Sequence, residues 1–350
     1  MHQVIRRARP SLGRQGNMLE EFNVTQMESV PRVEGTRQCP ACAFASPANG
    51  GVARHSRYGL RRCLHCHLLF SEPMEAADSA WYSSSWLYGL REENTKLDGR
   101  KRGVPWNFAQ ALSVLRPDDG NKLLDVGCAE GHFLWLAQEA GFQVTGLDFN
   151  PHSLQIAKEV FGIPSVYQCS VEELARRFPR TTYDVVTIFE VLEHTADPFA
   201  TLCSLNKILK PGGRLCLSVP GNMRWPALFH PVVDAPPHHL TLWTEEALGR
   251  LLERAGFQVG TLRRKPLNAD DLGVHVKWRL QEFVRKFQRG DCAEVCGDSA
   301  LPKAPAKPIA KDGARLFHRL GKASLAPMCW ALRLNPRAGG FTLFVQGQKT

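Results

Sequence analysis

Four cysteines near the start of the chain have a spacing suited to binding a metal ion. Cys39 and Cys42 form one Cys-x-x-Cys pair, and Cys63 and Cys66 form a second pair after twenty intervening residues. Each pair is typical of a tight turn that aims both sulfurs inward, so the two pairs together supply four thiolates for a tetrahedral zinc site. A site closed by four sulfurs has no open position for a substrate, so we expect the zinc to be structural.

The remaining cysteines and histidines are compatible with a structural zinc site at these four cysteines. The chain has eleven cysteines, and its start, residues 1–16, is rich in arginine without the apolar core of a secretion signal. We therefore expect thiols or metal ligands rather than disulfides, and a cytoplasmic protein. Two matched pairs also argue against a redox role. His65 and His67 are alternative ligands, but with four cysteines at hand we expect them to be surface or packing residues.

A second group of residues could hold a nucleoside. The apolar run at residues 123–126 includes an acid, Asp125, and is followed by Gly127 and Gly131, after which helical apolar spacing begins at Phe133. This order predicts a strand, a tight turn and a helix. In a doubly wound sheet, glycines at this turn let the backbone approach a ligand closely at the carboxyl end of the first strand.

The residues around this turn narrow the choice of ligand. Asp148 follows Gly127 by twenty-one residues, a spacing at which a carboxylate can accept both ribose hydroxyls. A dinucleotide site needs Gly-x-Gly-x-x-Gly, but Ala129 and His132 occupy its second and third glycine positions. No Lys-Ser or Lys-Thr follows the turn, so a nucleoside triphosphate site is also unsupported. A nucleoside without phosphates remains.

The elements that position these residues alternate regularly from residue 122. We predict strands at 122–126, 143–148, 165–169, 183–189 and 214–219, separated by helices near 131–140, 151–161, 171–178 and 197–209. Such alternation is typical of an α/β fold with a parallel, doubly wound sheet and right-handed crossovers. A helix beginning at Thr244 and running to Ala255, then a sixth strand from Gly256 to about Arg263, complete this series.

Several blocks in this order resemble the class I S-adenosylmethionine-dependent methyltransferases, in particular the group of small-molecule enzymes with ubiquinone-type and polysaccharide-associated members. The resemblance covers residues 120–265. It is carried by Leu124-Asp125-Val126-Gly127-Cys128-Ala129-Glu130-Gly131, Gly146-Leu147-Asp148, Tyr183-Asp184-Val185-Val186, Glu190-Val191-Leu192-Glu193-His194 and Leu209-Lys210-Pro211-Gly212-Gly213. The cysteine-rich segment also resembles zinc knuckles that precede some of these domains. The family implies a Rossmann-like sheet of seven strands.

The resemblance implies S-adenosylmethionine as the ligand of the glycine turn. The residues expected to bind it are Asp125, Gly127, Cys128, Gly131, Asp148, Phe149, Ser170, Phe189 and Glu190. Asp148 would accept the ribose hydroxyls, and Asp125 would hold the turn or reach the amino group through water. The family often has an acid after the third strand for the adenine amino group; here Ser170 or a backbone group must replace it. Glu193 and His194 are read as structural rather than as acid–base groups.

Two adjacent histidines are the candidates for proton transfer. His238 and His239 follow the fifth strand, where this fold carries substrate-facing loops, and similar enzymes have a comparable Pro-His-His before the helix that starts at Trp243-Thr244. A histidine has a pKa near neutrality and can take the proton of an oxygen nucleophile. Adjacent side chains point in different directions, so at most one of the two is the expected base. The alternative is a role in helix capping and loop packing.

The end of the chain is basic. Residues 261–350 contain 17 Lys and Arg against 7 Asp and Glu, whereas residues 1–260 contain 27 of each, which gives the net charge of +10. The family closes its sheet with an antiparallel seventh strand, and Phe341–Val345 fits that role, so residues 266–340 are an insertion. Amphipathic helices near 272–288 and 314–334 flank a flexible spacer at 302–311. Covering the substrate or forming a homodimer is favoured for them over peripheral membrane contact.

The predicted organisation has six parts. These are a disordered leader (1–36), a zinc-ribbon-like module (37–72), a helical connector (73–117) with aromatic residues at 81–88, the S-adenosylmethionine-binding domain (118–265), the basic helical insertion (266–340) and the final strand (341–350). No apolar run in the sequence is long enough for a membrane span.

The expected function is methyl transfer to an oxygen or carbon acceptor on a small molecule or a glycan. Phe189-Glu190-Val191-Leu192 replaces the Asp/Asn-Pro-Pro-aromatic motif of amino-group methylators, and the Pro-Cys pair used on pyrimidines is missing. Nucleic acid is therefore the less favoured partner. Two alternatives stay open: an RNA or protein methyltransferase whose ribbon and basic tail bind the substrate, and an inactive cofactor-binding scaffold.

Overall fold

The computed structural model describes residues 36–47, 51–55, 58–77, 103–222, 236–266, 340 and 342–350. Residues 1–35 of the predicted leader, the aromatic residues at 81–88, and the predicted helices and spacer between 272 and 334 lie outside the described residues. Within the described ranges, none of the helices is long and apolar enough to cross a bilayer.

Thirteen strands in the described residues form three sheets. In chain order they are β1 (Thr36–Gln38), β2 (Ala45–Pro47), β3 (Gly51–His55), β4 (Tyr58–Arg62), β5 (Leu69–Glu72), β6 (Lys122–Val126), β7 (Gln143–Leu147), β8 (Val166–Tyr167), β9 (Tyr183–Phe189), β10 (Leu209–Pro220), β11 (Thr241–Leu242), β12 (Phe257–Arg264) and β13 (Thr342–Lys349). The largest sheet has the order β12-β13-β10-β9-β6-β7-β8. Strand β13 runs antiparallel to both of its neighbours, which confirms the predicted antiparallel seventh strand.

Six α-helices lie within the described residues. They are α1 (Trp106–Val114), α2 (His132–Glu139), α3 (Pro151–Glu159), α4 (Val171–Arg177), α5 (Pro198–Ile208) and α6 (Glu245–Arg254). Four of them begin at a side chain that accepts from a backbone N–H of the first turn, as helix N-caps do: Asn150, Ser170, Asp197 and Thr244. The four helices predicted between residues 131 and 209, and the helix predicted from Thr244, are confirmed to within about two residues at each end.

The large sheet is buried on both faces. Successive residues of a strand point to opposite faces, and the pairs Leu123/Leu124 and Val185/Val186 are divided between two separate apolar clusters. One cluster contains α1, α2 and α3. The other contains α5 and α6 and extends to residues of the cysteine-rich segment, including Leu68. This explains why the strands read as continuous apolar runs rather than as alternating ones.

Three strands differ from their predicted lengths by three residues or more: β8, β10 and β13, which continues beyond Val345 to Lys349. Strand β8 has only two residues, Val166 and Tyr167, because the chain turns at Ser170 to start helix α4. Strand β10 begins at Leu209 and absorbs the predicted Lys-Pro-Gly-Gly turn, with a register shift against β9 between Leu209 and Arg214. Gly212 has a φ of 73° within this irregular stretch, a conformation that favours glycine.

The cysteine-rich segment, which we call the ribbon (residues 36–72), is joined to the large domain by a shared sheet. Strands β3, β4 and β5 pair in order, and β11, which lies between β10 and α6 in the chain, adds to the free edge of β5. The ribbon sheet is therefore completed by residues that lie about 170 positions later. The division of the chain at residue 72 stays a prediction, but the hydrogen bonds cross it.

Candidate functional site

The turn between β6 and α2 has the backbone shape that the glycine spacing predicts. Gly127 and Gly131 have φ values of 75° and 84°, and Gly131 is the N-cap of α2. A Cβ atom at Gly127 would lie 2.2 Å from Cγ2 of Val191, and one at Gly131 would lie 2.8 Å from Cβ of Ala157. Both positions therefore require glycine, for conformation as well as for space.

Asp148 lies just beyond the end of β7 and holds this turn. Its Oδ2 accepts from the backbone N–H of Ala129 at 2.8 Å, and its Oδ1 accepts from Asn150 N at 2.8 Å. Ala129 has a φ of 46°, unusual for a residue other than glycine, and the hydrogen bond from its N–H helps to fix that conformation. A carboxylate offers acceptor oxygens of the kind that ribose hydroxyls bind.

Asp125 is buried beneath the turn. Oδ1 accepts from the hydroxyl of Thr187 at 2.7 Å. Burial raises the pKa of Asp125 to about 7; the Thr187 hydroxyl lowers it and the charge of Asp148 raises it. Asp125 was predicted either to hold the turn or to reach the amino group of the cofactor through water. Its hydrogen bond to Thr187 of β9 favours the first role.

Three other predicted cofactor residues differ in their exposure. Cys128 is buried, and burial raises the pKa of its thiol, with the charges of Asp125 and Asp148 adding to the effect. Phe149 is 68% exposed directly after Asp148, which leaves its ring accessible to a ligand at the strand ends. Ser170 is engaged as the N-cap of α4, where its Oγ accepts from Glu173 N at 3.2 Å. Their contacts with a cofactor stay predictions.

The end of β9 is covered by helix α1. The ring of Phe189 is buried between Phe108 and Phe133, with centroid distances of 5.2 and 4.8 Å. Glu190 has a φ of 53° and its Oε1 accepts from Ser218 Oγ at 2.8 Å. These contacts give Phe189 a packing role and leave its predicted contact with the cofactor a prediction, while Glu190 lies at the exposed exit of the strand.

The two candidate histidines form a cluster with a third one. The ligand atoms of His194, His238 and His239 lie within 4.8 Å of one another. The rings of His238 and His239 are stacked at 4.5 Å, so the expectation that these adjacent side chains point in different directions is wrong. Nδ1 of His194 donates to the carbonyl oxygen of His238. The structure thus brings the motif after β9 to the motif before β11, forty-four residues apart.

A buried carboxylate lies behind these imidazoles. The side chain of Glu193 has no exposed surface, and its Oε1 is 3.8 Å from Nε2 of His194 and 3.9 Å from Nε2 of His239. A carboxylate at this distance stabilises a positive charge on either ring. The structural role expected for Glu193 and His194 stays a prediction, and both side chains lie beside the candidate base.

The four cysteines of the ribbon meet at one point. Sγ of Cys39 lies 3.6 Å from Sγ of Cys66, and Sγ of Cys42 lies 3.7 Å from Sγ of Cys63. The thiol of Cys66 donates to Cys39 and lowers the pKa of Cys39 to about 5, so the cluster favours at least one thiolate. The ring of His65 packs against that of Phe44 in a tilted arrangement, with 5.2 Å between ring centroids.

Comparison with known proteins agrees with this architecture. Residues 102–262 match the model of a family described as a methyltransferase domain. This match supports the predicted resemblance of residues 102–262 to the class I S-adenosylmethionine-dependent methyltransferases. The match includes the glycine turn, Asp148 and the histidine cluster, and it ends within β12.

Two curated relatives carry the name ubiquinone biosynthesis O-methyltransferase. The one from Proteus mirabilis is 42% identical over 103 residues, which is 28% of this chain and 42% of the relative. The one from Cereibacter sphaeroides is 35% identical over 150 residues, 41% of this chain and 60% of the relative. The chain thus spans only about two to three fifths of these relatives.

A solved S-adenosylmethionine-dependent methyltransferase from Archaeoglobus fulgidus aligns with a TM-score of 0.43 at 20% identity, covering 75% of this chain and 99% of that one. This likeness is too low to carry an argument about function.

Some parts of the site have no clear signal in the sequence. Asn107 of α1 donates to Ser218 Oγ at 3.0 Å and so reaches the same side chain as Glu190. No motif marks Asn107, because its role depends on a contact across 111 positions. The Glu193-His194 pair, by contrast, has a signal in the sequence. It follows the end of a buried strand, where parallel sheets place their ligands.

Proposed function

We propose that this protein transfers the methyl group of S-adenosylmethionine to an oxygen or carbon atom of a small molecule or a glycan. The main support for this proposal is the position of Asp148, whose carboxylate accepts a hydrogen bond from Ala129 in the glycine turn. A carboxylate at that point, beside a turn that has space only for glycine, suits a ribose lying across the strand ends.

The residues of the turn offer the space and the hydrogen-bond acceptors that S-adenosylmethionine requires. Gly127 and Gly131 form a cradle that a Cβ atom would fill, so backbone can surround the methionine part. Asp148 offers its carboxylate oxygens to the two ribose hydroxyls, and the exposed ring of Phe149 offers an apolar face to adenine. When bound, S-adenosylmethionine supplies a methyl group attached to a positively charged sulfur.

In this proposal the histidine cluster contacts the methyl acceptor and removes its proton. An in-line displacement requires mainly that the acceptor atom is aligned and that water is excluded. When the acceptor is a hydroxyl, its proton passes to an imidazole of His238 or His239, and the buried carboxylate of Glu193 stabilises the charge that forms. The O-methyltransferase names of the relatives support oxygen as the acceptor.

Release of S-adenosylhomocysteine by the full chain, measured by mass spectrometry with a panel of phenols, catechols and sugars, tests the proposal. We expect product with at least one acceptor, and loss of product in the Asp148→Ala variant. Transfer to RNA or to a protein but to none of the small molecules would establish the alternative substrate class. S-adenosylmethionine binding without transfer to any of them would indicate an inactive scaffold.

We also propose that the four ribbon cysteines bind a structural zinc ion. Four sulfur atoms paired at 3.6 and 3.7 Å form the donor set that zinc prefers in closed sites. Metal analysis of purified protein is expected to give one zinc per chain, which Cys63→Ser removes. The matched control is Cys216→Ser, which changes a buried cysteine of β10. Equal zinc content in both variants would refute the site.

A further inference from the structure

The segment that carries the candidate base is held from two sides. We call residues 236–244 the histidine strap; it contains His238 and His239, continues through strand β11 and ends at the N-cap of α6. It is buried over most of its length: Leu240, Thr241, Leu242 and Trp243 are each 2% exposed or less. The position of the two histidines therefore depends on what packs against this strap.

The ribbon contacts the strap through backbone hydrogen bonds. Strand β5 pairs antiparallel with β11, with Phe70 opposite Thr241 and Leu69 opposite Leu242. Ser71 N donates to the carbonyl oxygen of Leu240 at 2.8 Å, one residue after His239. Strand β5 begins three residues after the last cysteine of the metal-binding cluster, so the same short segment joins the cysteine knuckle to the strap.

The end of the strap is fixed directly to the cysteine knuckle. The hydroxyl of Thr244 donates to the carbonyl oxygen of Cys66 at 2.6 Å, and Oγ1 of Thr244 accepts from Ala247 N at 2.9 Å as the cap of α6. Thr244 is only 6% exposed, so water does not compete readily for these hydrogen bonds. One side chain thus links the knuckle, the strap and the helix.

The methyltransferase domain holds the opposite side of the strap. Leu240 N donates to the carbonyl oxygen of Glu193 at 2.8 Å, and Trp243 N donates to Pro220 O at 3.0 Å. The glycine turn, in contrast, takes its backbone hydrogen bonds from β7: Gly127 N and Cys128 N both donate to Leu147 O. The glycine turn and the strap therefore take these backbone hydrogen bonds from different segments of the chain.

We propose that the ribbon positions the histidine pair, with Thr244 as the main positioning residue, and so forms part of the wall of the acceptor site rather than a separate binding module. This inference rests on the proposed function for its effect on turnover, but not for the contacts. Loosening the ribbon should displace His238 and His239 and slow methyl transfer, while the affinity for S-adenosylmethionine stays the same.

The test compares three variants of the full chain. Thr244→Val keeps the shape of the side chain and removes the donor to Cys66, whereas Thr244→Ser retains the hydroxyl. Because Thr244→Val also removes a helix cap, Asp197→Ala, which removes the cap of α5, controls for that loss. The measurements are kcat, KM for the acceptor, the dissociation constant of S-adenosylmethionine, and hydrogen–deuterium exchange of the strap amides.

We expect Thr244→Val to lower kcat by about 10- to 100-fold, since small displacements of reacting groups have effects of that order. Exchange at Leu240 and Trp243 should rise, and S-adenosylmethionine affinity should stay within about twofold, a margin below the net value of one hydrogen bond. Thr244→Ser should restore both readouts, and Asp197→Ala should change neither.

Unchanged strap exchange in Thr244→Val would overturn the proposal, whatever the turnover. Faster strap exchange with wild-type kcat would overturn it as well, because the ribbon would then hold the strap without positioning a functional group. If the wild-type protein transfers no methyl group, the proposed function fails on that measurement alone, while the exchange data still decide whether the ribbon holds the strap.

Discussion

Replacement of Asp125 by asparagine gives a pH-dependent change in stability that follows from the burial of this acid. Asp125 is 3% exposed at the end of β6, and burial raises its pKa to about 7 from 3.8 in the unfolded chain. The folded protein therefore holds this proton more tightly than the unfolded chain does. The stabilisation that results is complete below about pH 4 and is lost as the pH rises through about 7.

The size of the effect follows from the two pKa values. Each pKa unit corresponds to about 1.4 kcal/mol, so the difference between 3.8 and about 7 amounts to about 4 kcal/mol above pH 8. At pH 5 the Asp125 carboxyl of the unfolded chain has already released most of its proton, so about 2 kcal/mol of the stabilisation has been lost. Asparagine has no proton to release. The free energy of unfolding of Asp125→Asn, relative to that of wild type, should therefore increase by about 2 to 3 kcal/mol between pH 5 and pH 8.5.

Urea unfolding followed by circular dichroism at a series of pH values, without cofactor, measures this difference. Asp118→Asn is the control for the loss of one negative charge, since Asp118 is an exposed acid in the turn before β6. The free energy of unfolding of this control should run parallel to that of wild type. If Asp125→Asn also runs parallel to wild type over this pH range, burial does not raise the pKa of Asp125, and the reasoning about this acid is wrong.

Two further substitutions test the turn and the cluster. Gly127→Ala should destabilise the protein and weaken S-adenosylmethionine binding, because its Cβ would meet Val191 at 2.2 Å; Gly162→Ala, with a similar φ of 71° and open space around it, should cost only about 1 to 2 kcal/mol of backbone strain. Equal costs in both would refute the steric argument. Glu193→Gln should lower kcat about tenfold or more with unchanged cofactor affinity, measured by steady-state kinetics and calorimetry, since the carboxylate near His239 is lost. Wild-type kcat would remove Glu193 from the mechanism.

The regular part of the fold follows from local sequence patterns. Strands β6 and β9 have the predicted bounds because apolar runs bounded by turns define strands buried on both faces. The cap at Thr244 was also predicted correctly, since a hydroxyl before two acidic residues is a helix-start signal. Family resemblance supplied the antiparallel β13, which periodicity alone does not reveal.

The contacts between distant segments could not be predicted in the same way. Strand β11 has two residues, too few for any periodicity, and its partner β5 lies about 170 positions earlier. The approach of His194 to His238 likewise depends on how β9 and the strap are packed, not on the residues near either one. Local sequence patterns therefore predict the strand, turn and helix around Gly127, whereas long-range packing decides which histidines meet.

Calorimetric titration of S-adenosylmethionine into wild-type protein and the Asp148→Ala variant tests the central claim most directly. The variant loses the carboxylate that accepts from Ala129 and Asn150 and that would accept from the ribose. Hydrogen bonds to a charged group contribute about 1.5 to 3 kcal/mol, so binding to the variant should be about 10- to 100-fold weaker. Equal heats and equal affinities for the two proteins, or no binding by wild type, would contradict the assignment of this turn as the cofactor site.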